Sequence, residues 1–178
     1  MNLIVKFQQR RADDDVQCLS KVRRGDRSAM LALYRQHQPE VVHFIGMLTG
    51  CEQRTAELVT DTFLAAWQQA PASSHVTCVR TWILAIACGV ALRSLEGEGT
   101  FAATRIVPAR GGEKGEVSPR FVRDIAWLPL APRAALVLAY GLGCSANEIA
   151  AIMTCPVDEV DDRIASARSV LHALRDAQ

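Results

Sequence analysis

Few residues in this sequence have spacing that could do chemistry. Six cysteines, Cys18, Cys51, Cys78, Cys88, Cys144 and Cys155, include no CxxC pair, and each lies within or beside an apolar segment. They are expected as buried, reduced thiols rather than as a zinc site or a disulfide framework. His37, His43, His75 and His172 show no ligand spacing either. With no glycine-rich phosphate loop and no pairing of nucleophile with base, the sequence predicts no catalytic residue, no metal and no cofactor. What remains is charge carried on helices: Glu57 and Asp61 on one outward face, and Asp161, Asp162, Arg163 and Arg168 on another. Such groups suit docking on a partner or meeting phosphates rather than making bonds.

Helices must hold those charges, and the clearest helical pattern runs from Gly143 to Ala173. Ser145 with Glu148 three residues on has the spacing at which a hydroxyl and a carboxylate reciprocally satisfy the free amides of a first helical turn. A helix is therefore predicted from Ser145, with Ile149, Ile152 and Met153 on one side. Thr154-Cys155-Pro156 ends it, and proline suits the first turn of the next helix. From there Val157, Val160, Ile164, Ala167, Leu171 and Leu174 recur at steps of three and four, a stripe facing a core. Preceded by an apolar helix from Ala134 to Leu142, this is a helix-turn-helix pattern, in which the second helix enters a DNA major groove. A small helical bundle with a short connection fits the same pattern.

Upstream, residues 1–14 have no period and are expected to be a frayed end. Asp15 to Arg24 reads as a short helix, Gly25-Asp26 as a stop and restart, and a longer helix follows from Ser28, bent at Pro39 and closed by Thr49-Gly50-Cys51. Thr55 to Gln69 places Leu58, Val59, Thr62, Phe63, Ala66 and Trp67 inward and Glu57, Thr60, Asp61 and Gln68 outward. By themselves those acids need no partner, because carboxylates favour the positive end of a helix. Pro71 to Thr77 is a loop, and Cys78 to Leu95 is apolar nearly all round, as in a centrally buried helix. Glu96 to Pro119 holds five glycines and no helical period, and is expected as a flexible linker. Phe121 to Trp127 opens a second helical unit, which Leu128-Pro129 breaks.

At 178 residues, 49 % hydrophobic and 22 % charged, the chain has the composition of a folded protein. Aromatics are scarce at 6 %, and Ala, Leu, Val and Ile dominate the periodic segments, which favours an all-α fold over a sandwich or barrel. No apolar run reaches membrane-spanning length and no secretory cleavage pattern follows the N-terminus, so the cytoplasm is the expected location. The net charge of +1 is unusual for a DNA-binding module, which is ordinarily marked by a basic patch.

Four helices, a linker and a C-terminal helix-turn-helix, in this order, resemble the small extracytoplasmic-function sigma factors of bacterial RNA polymerase. The pattern lies in Gly25 to Ile45, Ala56 to Trp67, Val79 to Leu92, Leu128 to Met153 and Val160 to Leu171, and covers nearly the whole chain. The resemblance implies an all-α fold with a sigma region 2-like four-helix domain over residues 1–95, a linker over 96–119 and a sigma region 4-like domain over 120–178. It also implies a promoter-specificity subunit without an active site. The family's third helix docks on the clamp of the polymerase largest subunit, which corresponds here to Glu57, Thr60, Asp61, Phe63 and Trp67, with Thr60 in place of the usual glutamine. The loop and helix matching Pro71 to Leu95 recognise and open the −10 element, which corresponds to Arg80, Trp82 and Arg93. The helix-turn-helix reads the −35 element, which corresponds to Ser145, Asp161, Asp162, Arg163 and Arg168. Core RNA polymerase and promoter DNA are the implied partners, and an anti-sigma factor is a further one that the resemblance admits.

Departures from the family bear on the DNA-facing positions. Cys88-Gly89 stands where the fourth helix typically runs Arg-Asn, Glu96-Gly97 replaces two basic residues, and Asp161-Asp162-Arg163 and Ala165-Ser166 replace Lys-Ser-Arg and His-Arg. From Pro156 to Gln178, three arginines face five carboxylates. A carboxylate beside phosphates repels instead of releasing counterions, so intrinsic DNA affinity should fall. Two readings stay open at this point: a working alternative sigma factor, or a degenerate sigma-like module that binds polymerase or an anti-sigma factor without reading promoters.

Overall fold

Helices account for nearly all the regular structure in the computed structural model, which describes residues 3–96 and 123–176. Four form the N-terminal half: α1 (Leu3–Val22), α2 (Arg27–Thr49), α3 (Glu52–Gln69) and α4 (Val79–Leu95), with a 3₁₀ turn over Ala70–Ala72 after α3. In the C-terminal half a helical turn at 123–125 leads into α5 (Leu130–Leu136), a π-helical segment Val137–Gly141, α6 (Ala146–Met153) and α7 (Val157–Asp176). No strand occurs among the described residues.

The first helix departs from expectation. Residues 3–14 are helical rather than frayed, and Asp15 lies well inside α1. The cause is tertiary: Leu19 and Val22 are buried, and Asp15 pairs with His37 of α2 at 3.1 Å, both residues 6 % exposed. Burial holds the Asp15 carboxyl above its usual range even though the imidazole pulls it down. The boundaries of α2 follow local chemistry. Asp26 accepts hydrogen bonds from the Ser28 and Ala29 amides, while Gly50, at φ 62, supplies the left-handed residue that closes the helix. Pro39 sits within α2 without ending it.

α4 is the hub. Ile83, Leu84, Ile86, Ala87, Cys88 and Ala91 are buried on all its sides, as its uniformly apolar sequence predicts, and it packs against α2, α3, α5 and α6. Side chains from both halves consequently join one continuous hydrophobic cluster, from Leu33, Phe44 and Leu58 through Ile83 to Ile125, Leu138, Ile149 and Val160. The expected linker, apart from Glu96, lies outside the described residues. Of the cysteines, Cys88 and Cys144 are buried, Cys18, Cys51 and Cys155 are half-buried, and Cys78 is exposed at the start of α4, contrary to the expectation of six buried thiols.

Candidate functional site

α3 presents the first candidate surface. Its inward residues Leu58, Val59, Thr62, Phe63 and Ala66 are buried, and Thr62 returns its hydroxyl to the Leu58 carbonyl at 2.7 Å. Glu57, Thr60 and Asp61 are therefore turned outward and exposed, one helical turn apart. Phe63, a predicted contact, belongs to the core: it is 6 % exposed and meets the Tyr34 ring edge-on, with centroids 4.8 Å apart. Trp67 is half-buried against the same core, so these two aromatics support the surface from beneath. The structure adds a residue that the sequence reading passed over. Leu64 is 54 % exposed, and its position four residues after Thr60 places it on the acidic face. An outward leucine on an amphipathic helix was the available signal.

The second candidate surface starts at α4. Arg93 is exposed near the end of the helix, and Trp82 packs partly against the core. Arg80 is not free to meet a phosphate. Its Nε donates to both carboxylate oxygens of Glu40 at 3.1 and 2.9 Å, and Nη2 donates to the Leu142 carbonyl at 2.9 Å. Nη1 lies 3.7 Å from Cys144 Sγ and 3.8 Å from Glu148. Burial alone would lower the pKa of this guanidinium, but the Glu40 charge and hydrogen bonds outweigh it and raise the pKa.

The third is the helix-turn-helix. The predicted capping box is present: Ser145 Oγ accepts from the Glu148 amide at 3.4 Å, and Glu148 Oε2 accepts from the Ser145 amide at 2.8 Å. The hydrogen bonds from Ser145 hold the Glu148 carboxyl below its usual range despite partial burial. Thr154, at φ 53, makes the sharp turn into α7. On α7, Val160 and Ala167 are fully buried, while Asp161, Asp162 and Arg168 are exposed. Arg163 is half-buried and folded back over the turn, with Nη2 on Glu159 at 2.6 Å and Nη1 near Cys155 Sγ at 3.4 Å and Met153 Sδ at 3.7 Å. Arg163 and Arg168 therefore do not form one free basic face.

Two further residues had escaped the sequence reading. Arg133, an arginine inside an apolar run, is 8 % exposed and donates to the Leu48, Ala126 and Leu128 carbonyls. His43 Nε2 is buried where α2 meets the π-helical segment, finds no hydrogen-bond partner among the described residues, and would stand 3.3 Å from a Cβ at Gly141. Burial lowers the His43 pKa below 6.5. The unfolded chain thus takes up this proton first, so His43 leaves stability level above about pH 6.5 and erodes it as pH falls towards the folded value. Thermal melts of wild type and His43→Leu from about pH 7.5 to about pH 5 should show the Tm difference shifting in favour of the variant in acid. A difference independent of pH would assign the titration elsewhere.

An all-helical body with a helix-turn-helix and separate acidic and basic faces defines a protein- and DNA-docking class of molecule. Comparison with known proteins makes this specific. A model of the Sigma-70 region 2 family matches residues 33–100, from within α2 past the end of α4. The probable RNA polymerase sigma-C factor of Mycobacterium bovis is 30 % identical over 162 residues, covering 84 % of this chain and 85 % of that protein. The RNA polymerase sigma-H factor of Pseudomonas aeruginosa is 25 % identical over 178 residues, covering 89 % and 92 %. Among solved structures, CnrH in complex with the cytosolic domain of CnrY gives a TM-score of 0.74 at 24 % identity, over 93 % of this chain and 99 % of that one. The sigma factor RpoE in complex with the anti-sigma factor NepR from Bartonella quintana gives 0.63 at 21 % identity, over 82 % and 95 %. At these identities the two structures speak for the fold. The chain belongs to the extracytoplasmic-function family of RNA polymerase sigma factors, regulatory proteins of transcription, and is an alternative sigma factor directing promoter recognition and transcription initiation. No helix among the described residues is long and apolar enough to cross a membrane.

Proposed function

We propose that the chain works in the cytoplasm without catalytic residues of its own, and divides its task among the three surfaces. Glu57, Thr60 and Asp61, with Leu64, dock on the clamp of the polymerase largest subunit, held in place by Phe63 and Trp67. Arg80, Trp82 and Arg93 serve the −10 element, and the helix-turn-helix, with Ser145 at its first turn and Arg163 and Arg168 on α7, serves the −35 element. An anti-sigma factor is the third partner class. The observation that carries the promoter reading is the free face of α7: Asp161, Asp162 and Arg168 point to solvent while Val160 and Ala167 anchor the helix from behind. The acids on that face repel phosphates, so promoter recognition depends on contacts made by the assembled holoenzyme.

Replacing Asp161 by Lys and Asp162 by Ser in the full chain removes two negative charges and adds a positive one. Holoenzyme binding to promoter-length duplex should tighten, and its log–log salt slope should steepen by roughly 0.9 for each additional phosphate neutralised. Fluorescence anisotropy over a salt series measures both. An unchanged affinity and slope would mean that this face does not meet DNA, and would favour a polymerase-binding module that does not read promoters.

A further inference from the structure

Two of the four arginines assigned to DNA are held inside the protein, and the way Arg80 is held joins the two halves of the molecule. Arg80 leaves α4 and reaches across to the C-terminal half, where the Leu142 carbonyl, Cys144 Sγ and the Glu148 carboxylate receive its guanidinium. Glu40 fixes its Nε edge from α2. Arg133 makes the reverse crossing: it leaves α5 and donates to the Leu48 carbonyl at 2.9 Å, at the negative end of α2, where the last turn of a helix leaves acceptors unfilled. Between these clasps Gly141 lies against His43 with no room for a side chain. Behind them Cys88 of α4 is 1 % exposed, and its thiol is pushed up to about 12 by burial, with Arg163 and Cys155 of the helix-turn-helix near enough to act on it electrostatically.

We propose that the free chain is autoinhibited by this packing: the reciprocal Arg80 and Arg133 clasps hold α4 against the helix-turn-helix, so that Arg80 is withheld from nucleic acid until the halves separate. The clasps suit a reversible latch. Their acceptors are largely backbone carbonyls and a partly exposed carboxylate, which polymerase contacts or phosphates can replace as ligands of the same guanidinium. The inference rests on the promoter-binding reading and adds to it a closed resting state of this chain.

The test uses the full chain and a double variant, Glu40→Gln with Gly141→Val, which weakens the hold on Arg80 and wedges the His43 contact. Circular dichroism checks that helix content is kept. Small-angle scattering should give wild type a radius of gyration near the roughly 16 Å of a compact chain of this length, and the variant a larger value. Binding to a mixed-sequence duplex, followed by anisotropy, should tighten about tenfold, as expected when an open fraction of about a tenth becomes the whole population. Wild type already extended in solution, a helical variant that stays compact, or a variant that opens without binding DNA more tightly would each overturn the proposal. Should the variant lose helix content, hydrogen exchange on wild type decides. Amides at the start of α4 and from Leu142 to Glu148 should be protected in the free chain and lose protection when core RNA polymerase is added, and unchanged protection with polymerase bound overturns the latch. Failure to bind polymerase at all would instead strike at the docking assignment and leave the scattering result standing.

Discussion

Glu57→Lys combined with Asp61→Lys should lower the affinity of the chain for core RNA polymerase by about a hundredfold, close to 3 kcal/mol at 1.4 kcal/mol per factor of ten. Both carboxylates are exposed on α3, one turn apart, with Leu64 on the same face to supply the apolar centre that a docking patch needs. Inside the free protein they do little. The contact of Glu57 with Arg54, at 3.0 Å, is a surface i,i+3 pair, a kind worth well under about 1 kcal/mol, and Arg54 keeps its hydrogen bond to Ser94 at 2.6 Å when that pair is lost. Helix content and Tm should therefore stay close to wild type while binding and run-off transcription collapse together. Leu64→Asp separates the apolar centre from the charges and should weaken binding without altering the acids. If the double variant still binds core polymerase with wild-type affinity, the docking surface is not on this face of α3.

Arg133→Met should cost about 3 kcal/mol of stability, the sum of three charge-assisted hydrogen bonds less the desolvation recovered on removing a buried cation. For a chain of this size that is a fall in Tm of about 10 °C. No carboxylate lies among its hydrogen-bond acceptors. Nη1 donates to Leu48 at 2.9 Å, and Nη2 donates to Ala126 at 2.6 Å and Leu128 at 2.7 Å, so three backbone carbonyls hold the guanidinium at the end of α2. Burial pulls the Arg133 pKa down, and the planar fork reaches acceptors from two directions at once. Arg133→Lys offers a single point charge in place of the fork and should fall between wild type and the methionine variant. Calorimetry decides the matter. A methionine variant as stable as wild type would mean that packing a methionine there replaces all that the buried cation contributes.

Local chemistry was legible in the sequence wherever the groups that determine it are neighbours along the chain. The Ser145–Glu148 box, the break at Thr154-Cys155-Pro156, the closure of α2 at Gly50, the faces of α3 and the burial of α4 all follow from spacing at one helical turn or from the conformational limits of glycine and proline. The relationship to sigma factors belongs with them, since its motifs lie in those same helices. Where a charged group is satisfied from afar, the sequence was silent. α1 runs on to Leu3 with Asp15 inside it, tied to a histidine 22 residues away. Arg80 finds Glu40 at a separation of 40 residues and the Leu142 carbonyl at 62, and Arg133 finds Leu48 at 85. An arginine carries the same five donors whether it faces a phosphate or a carbonyl, so its type and its place on a helix cannot say which it meets. Only the packing of α4 between α2 and the helix-turn-helix decided that, because it removed water from these guanidinium groups and left protein oxygens as the acceptors within reach.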